Sequence, residues 1–217
     1  MKIYKNILAT LLTLILSTSA YSATLVIKNG QLVGADDIVF DGFTGSVKFV
    51  EGTCIDIFNG CDEPSDIIFE SLTSTNTQAR DLALAANSAL LGQVFDAFPL
   101  YDENIALTFG CEEGTFVALN RCTLITPYDY TDNGTVVAVQ LTNRDDNSAL
   151  DTVTWGQGYS ATGSTIPLNS NAPDRLVYAT WTVTPVPLPA AGPLFLTAIS
   201  ALGFWGSRRQ SCKTLAT

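Results

Sequence analysis

The sequence predicts a mainly β domain, built as sandwich-like antiparallel sheets. It adds one amphipathic helix packed on a sheet and a single transmembrane helix near the C-terminal end. Three observations carry this expectation. Short runs rich in Val, Ile, Thr and aromatic residues alternate with turn residues through the middle of the chain. One segment, residues 79–98, breaks that rhythm with apolar residues at helical spacing. A last apolar stretch, residues 190–206, runs for 17 residues without a charge.

The elements follow in chain order. MKIYKN supplies Lys2 and Lys5, ILATLLTLIL (7–16) is an apolar run of ten, and STSAYSA (17–23) offers small residues. That is the three-part layout of a secretory signal peptide over residues 1–23. Ten apolar residues are too few to cross a bilayer. Cleavage after Ala20, Ser22 or Ala23 fits equally well.

Residues 24–184 form the exported domain. TLVIK (24–28) leads into the turn signal Asn29-Gly30, and GSVKFVEG (45–52) sets Val47 and Phe49 opposite Lys48. SDIIFES (65–71), NIALTFG (104–110) and TFVAL (115–119) read as further strands. In TVVAVQLTN (135–143), Val137, Val139 and Leu141 share a face. In RLVYATWTV (175–183), Val177, Ala179, Trp181 and Val183 do the same. Asn59-Gly60 and Asn133-Gly134 are two more turn signals. Over 79–98, Leu84, Leu91, Phe95 and Phe98 make an apolar stripe with Leu90 and Val94 beside it, while Asp81, Gln93 and Asp96 take the other side. Asn76 or Thr77 is placed to cap this helix and Pro99 to end it. Residues 167–175 read as a loop, and the prolines of 185–189 as an extended linker.

Charge and cysteine usage bound the function. All 21 acidic residues lie between Asp36 and Asp174, and with the six basic residues of 24–184 they give that domain a net charge of −15. Such a surface repels phosphate backbones, so no nucleic-acid partner is expected. There is no histidine, which removes the usual general base and zinc ligand. Of the five cysteines, Cys54, Cys61, Cys111 and Cys122 fall inside the domain, and Cys212 falls beyond the final arginines. An even number in an exported domain implies disulfides. Short loops close most readily, which favours Cys54–Cys61 and Cys111–Cys122 over the other two connectivities.

As a helix, residues 190–206 would reach about 25 Å, at the lower edge of what crosses a ~30 Å hydrocarbon core. Trp205 would lie at the interface, with Arg208, Arg209 and Lys213 beyond it in a basic tail, residues 207–217. Positive charge there predicts a cytoplasmic C-terminus and an exported domain.

VPLPAAGPLFLTAISALGFWGSRR (186–209) resembles the VPLPA-CTERM sorting signal, a variant of the PEP-CTERM signals of Gram-negative bacteria. The match comprises the motif Val186, Pro187, Leu188, Pro189 and Ala190, the short apolar helix, and the basic stop Arg208 and Arg209. The tail QSCKTLAT runs on further than that pattern usually does. The resemblance implies handling by an exosortase, a membrane protease-transpeptidase acting near the Pro-rich motif. It further implies passage across the inner membrane, a temporary anchor, and delivery to the cell surface or an extracellular polymer. VKFVEGTCIDIFNGCDEPSDIIF, ALLGQVFDAF, LTFGCEE and LITPYDY are similar to stretches in an uncharacterised group of exported bacterial proteins with this kind of C-terminus, a group that supplies no activity.

Signals for chemistry are sparse. No G-x-S-x-G occurs. The adjacent pairs Asp62/Glu63, Asp102/Glu103, Glu112/Glu113 and Asp145/Asp146 offer carboxylates. A glycoside hydrolase, however, needs two that face each other across a cleft. DYTDNG (129–134) sets Asp129, Thr131 and Asn133 at calcium-ligand spacing, but Gln140 stands where an EF-hand needs Glu. The alternative is an ordinary hairpin turn. No cofactor is expected. The reading is a non-enzymatic exported protein of the cell surface or extracellular polymer. One alternative is a carbohydrate-binding or adhesive module using Trp155, Tyr159, Tyr128 and Tyr130. The other is a carboxylate-based glycoside hydrolase.

Overall fold

A computed structural model describes residues 23–111, 121–131, 135–145, 150–160 and 177–186. The chain divides into two compact units, Met1–Thr184 and Pro185–Thr217. The expected transmembrane helix, Arg208, Arg209 and the run 115–119 lie outside the described residues. Among the described residues no helix is long and apolar enough to cross a membrane.

The first unit is mainly β. Its strands are β1 (Thr24–Lys28), β2 (Gln31–Phe40), β3 (Phe43–Glu51), β4 (Arg121–Thr131), β5 (Thr135–Arg144), β6 (Thr152–Ser160) and β7 (Val177–Pro185). They form one seven-stranded sheet in the order β1-β2-β3-β7-β4-β5-β6. Two antiparallel meanders, β1-β2-β3 and β4-β5-β6, are joined by the last strand. β7 runs parallel to β4. On its other side, Thr180 reaches the Lys48 carbonyl and Thr184 the Thr44 carbonyl, in opposite directions along β7 and β3. The expectation of sandwich-like antiparallel sheets is therefore corrected to a single mixed sheet. β7 bridges the two meanders into one sheet, and helices cover the face that a second sheet would occupy.

Both turns of the first meander are of the type that hairpins favour. Asn29-Gly30 has φ of 54° and 85°, and Asp41-Gly42 has φ of 43° and 80°. This positive-φ pair matches strand twist, and glycine reaches it without a Cβ clash.

The main helix, α3 (Asn76–Leu90), continues through a π-helical turn (Leu91–Phe95). Before it come α1 (Cys54–Ile57) and α2 (Ile68–Ser71), and after it α4 (Pro99–Asp102). The cap of α3 is Thr75, whose hydroxyl accepts from the Gln78 N–H, one to two residues before the expected positions. Its buried face is Ala79, Leu82, Ala83, Ala86, Asn87 and Leu90, followed by Val94 and Phe95. Leu84, Leu91 and Phe98 of the expected stripe only flank it. Small alanines, which carry little weight in an apolar tally, let the helix approach the sheet closely. Pro99 ends that helix by opening the next, at the first position of α4.

Two expected strands are helical. Residues 65–71 become a 3-10 turn (Pro64–Asp66) and α2, because Pro64 and the reciprocal capping of Glu63 and Asp66 satisfy the backbone locally. Residues 104–110 form a 3-10 turn (Ile105–Leu107) and a single bridge from Thr108 to Leu32. Asn59-Gly60 is part of the loop after α1, not a hairpin.

The sheet feeds two cores. At the parallel step, Leu124 pairs with Val177 and Ile125 with Tyr178. Leu124 and Val177 enter the large core under α3, with Val139, Leu141, Ala179 and Trp181. Ile125 and Tyr178 point the other way, into a small core with Val136, Ala138, Cys54 and Cys61. Alternation along a strand produces this division. Each fully buried Leu or Phe contributes roughly 1.5–3 kcal/mol.

Candidate functional site

The disulfides join Cys54 to Cys61 and Cys111 to Cys122, with Cα atoms 5.7 and 5.4 Å apart. This is the local pairing expected. The first closes the α1 loop over Ile125 and Tyr178, with the Phe58 ring edge-on to Tyr178 at 5.6 Å.

Chemistry-bearing side chains converge where β5 ends. Asp96 follows the π-helical turn, whose wider winding shows in the Asp96 N–H donating to the Leu91 carbonyl. Asp102 closes α4 and is only 8% exposed. Asn143 on β5, fully buried, donates its amide to the carbonyls of Tyr101 (3.2 Å) and Asp102 (3.5 Å), which pins α4 to the sheet. Its neighbour Arg144, at the end of β5, donates its backbone N–H to Asp151 at 2.8 Å. One carboxylate oxygen from each of Asp96, Asp102 and Asp151 lies within 4.8 Å of the others.

The electrostatics of this group are unfavourable as it stands. Burial, with the charges of Asp102 and Asp96 adding to it, raises the Asp151 carboxyl to about 6 against the backbone bond from Arg144. Burial also raises Asp102, with Asp96 and Glu103 adding to it, while a hydrogen bond from Asp151 lowers it. Asp102 Oδ1, Asp151 Oδ2 and Asn143 Oδ1 are buried without a hydrogen-bond partner. A glycoside hydrolase uses two carboxyls facing each other across a cleft, about 5–10 Å apart, whereas here three oxygens cluster within 4.8 Å.

Of the candidate calcium ligands at 129, 131 and 133, the first two are described. Asp129 lies within β4; Oδ2 accepts from Asn76 at 2.8 Å and Oδ1 from the Tyr130 N–H at 2.8 Å. Its carboxylate joins the start of α3 to the sheet. Thr131 is the last residue of β4, and Asn133 lies outside the described residues. Of the sorting motif, Val186 directly follows β7 and is half-buried; Pro187, Leu188, Pro189 and Ala190 lie outside.

The expected aromatic platform separates. Tyr128 is in the core and Tyr130 is half-buried. The side chain of Tyr159 lies outside what is described. Trp155 on β6 is 54% exposed, with the Arg80 guanidinium 4.6 Å from its ring centroid and paired to Asp81 at 2.8 Å. An open groove of about 380 Å³ lies elsewhere on the sheet, with Val26, Val47, Phe49 and Phe109 flanked by Lys28, Lys48 and a single carboxylate, Asp36.

The acidic group carries no sequence motif, since its members stand at positions 96, 102 and 151 and meet only through the fold. Compared with protein-family models, curated proteins and solved structures, the chain gives no match.

Proposed function

We propose that this chain is a non-enzymatic exported protein of the cell surface or extracellular polymer. Its disulfide-bonded β domain is delivered by the C-terminal signal. The observation that carries this reading is the disposition of the cysteines: all four within the domain pair locally, and Cys212 lies beyond the basic stop. Disulfides belong to oxidising compartments. The apolar stretch 190–206 then acts as a temporary inner-membrane anchor, and an exosortase-type enzyme acts near residues 186–190. The partner outside is extracellular polysaccharide, while the −15 charge of the domain repels nucleic acid. Deleting residues 186–217 and fractionating the cells tests the address. The expected result is a changed location and a changed mass of the mature protein. Unchanged location together with unchanged mass refutes the anchor.

A second reading, a carbohydrate-binding or adhesive module, is favoured by one observation: Trp155 keeps half its surface in solvent, backed by Arg80. Aromatic faces of this kind pack against sugar rings. A glycan array on the wild type and Trp155→Ala decides it. Absence of binding, or identical binding by the two, dismisses the reading.

A further inference from the structure

We propose that Asp96, Asp102 and Asp151 form a calcium site that ties the start of β6 to α4. Geometry is the first ground. Oxygens bound to one calcium ion at 2.3–2.6 Å lie at most about 5 Å apart, and the three carboxylates already present oxygens within 4.8 Å of one another. Magnesium, at 2.0–2.1 Å with a strict octahedron, would need them drawn in to about 4 Å.

Unpaired buried oxygen is the second ground. Asp102 is 8% exposed, its carboxylate is turned toward Asp96 and Asp151, and its Oδ1 has no donor. Asn143, outside the acidic group and fully buried, holds the Asp102 carbonyl through its amide nitrogen and leaves its own oxygen without a partner. Buried carboxylates are retained where a counter-charge or donors satisfy them. The charges acting on this pair, those of Asp96 and Glu103, are negative. A divalent cation supplies what the side chains lack. The ligands come from both sides of one junction: Asp96 and Asp102 flank the start and end of α4, and Asp151 is held by Arg144 at the end of β5. Binding therefore stiffens the α4 corner and the start of β6 together.

Titration of the full chain at pH 7.5 with calcium chloride, read by calorimetry and thermal melting, tests the site. We expect one ion bound, with a Kd of about 0.1–1 mM, the range of extracellular modules. A rise in Tm of about 3–5 °C is expected at a tenfold excess over Kd. Asp96→Asn, on an exposed residue whose loss leaves the fold intact, should weaken binding at least tenfold, as should Asp102→Asn. Asp129→Asn should leave it unchanged. Absence of heat and of any Tm shift in the wild type would overturn the site. So would calcium affinity unaltered by Asp96→Asn, or an equal response to magnesium.

Discussion

Trp181 on β7 donates its indole N–H to the Thr126 hydroxyl on β4 at 3.3 Å. That hydroxyl donates onward to Asn87 Oδ1 on α3 at 3.1 Å, and the Asn87 amide donates to the Ala83 carbonyl at 2.8 Å. All three side chains are buried. The chain of bonds joins the bridging strand, its parallel neighbour and the main helix through the middle of the large core. The Phe40 and Phe69 rings pack edge-on against Trp181 at 5.5 and 6.1 Å. The polar chain is therefore enclosed by apolar surface, where an unpaired group is costly.

Thr126→Val keeps the shape and removes the hydroxyl at the centre of that chain. It orphans the indole N–H and the Asn87 oxygen, each costing about 1–3 kcal/mol. We expect a loss of roughly 2–5 kcal/mol in urea unfolding, with Thr126→Ser losing much less because it keeps both bonds. Equal losses in the two variants would show that methyl packing, rather than the hydrogen bonds, accounts for the effect.

The sequence disclosed β1, β3, β5 and β7 but not β2, β4 and β6, and the reason is local. Each of the missed strands contains a bulge. In β2 the register shifts across Asp36-Asp37, where Asp37 has φ of 61°. In β4 it shifts between Pro127 and Asp129, and in β6 across Gly156, with φ of 85°. A bulge interrupts the period-2 pattern and admits proline and glycine, which otherwise argue against a strand. Conversely, the alternation in β5 and β7 is uninterrupted, and both were legible. The cysteine pairs were legible from spacing. The carboxylate group was not: Asp102 and Asp151 stand far apart in sequence, and only the docking of α4 through Asn143 brings them together.

Tyr178 predicts a distinct alkaline transition. Its ring fills the small core against Phe58, and its hydroxyl is buried without a partner. Burial pushes the phenol up to about 12, from 10.0. The folded state therefore holds this proton through a window in which the unfolded state has lost it. Stability from this group is complete below pH 10 and declines as pH rises from about 10 to 12, by roughly 2–3 kcal/mol. Tyr178→Phe should lack that component. At neutral pH it should be as stable as the wild type or up to about 1 kcal/mol more so, since it removes an unsatisfied group. Denaturant midpoints measured for both proteins from pH 7 to 12 provide the check. Parallel profiles would rule out the assignment to Tyr178.

Gln93 holds an edge that no described strand covers. β1 pairs with β2 only as far as Asp36, so Val39 would present an open N–H and C=O on that side. The Gln93 side chain, at the π-helical turn, accepts from the Val39 N–H at 3.1 Å and donates to the Val39 carbonyl at 2.7 Å. One amide thus stands in for a neighbouring strand and ties the end of the main helix to the sheet. Gln93→Glu is nearly isosteric but carries no donor at neutral pH, and it sets a carboxylate oxygen against the Val39 carbonyl. We expect a loss of about 2–3 kcal/mol at pH 7 from a broken hydrogen bond and a partly buried charge. Protonating that carboxyl restores a donor, so the deficit relative to the wild type should shrink as the pH falls below about 5. Paired melts of the two proteins at pH 7 and pH 4.5 measure it. A deficit that is absent at pH 7, or that stays constant between the two pH values, would place the Gln93–Val39 pair outside the interactions that hold α3 to the sheet.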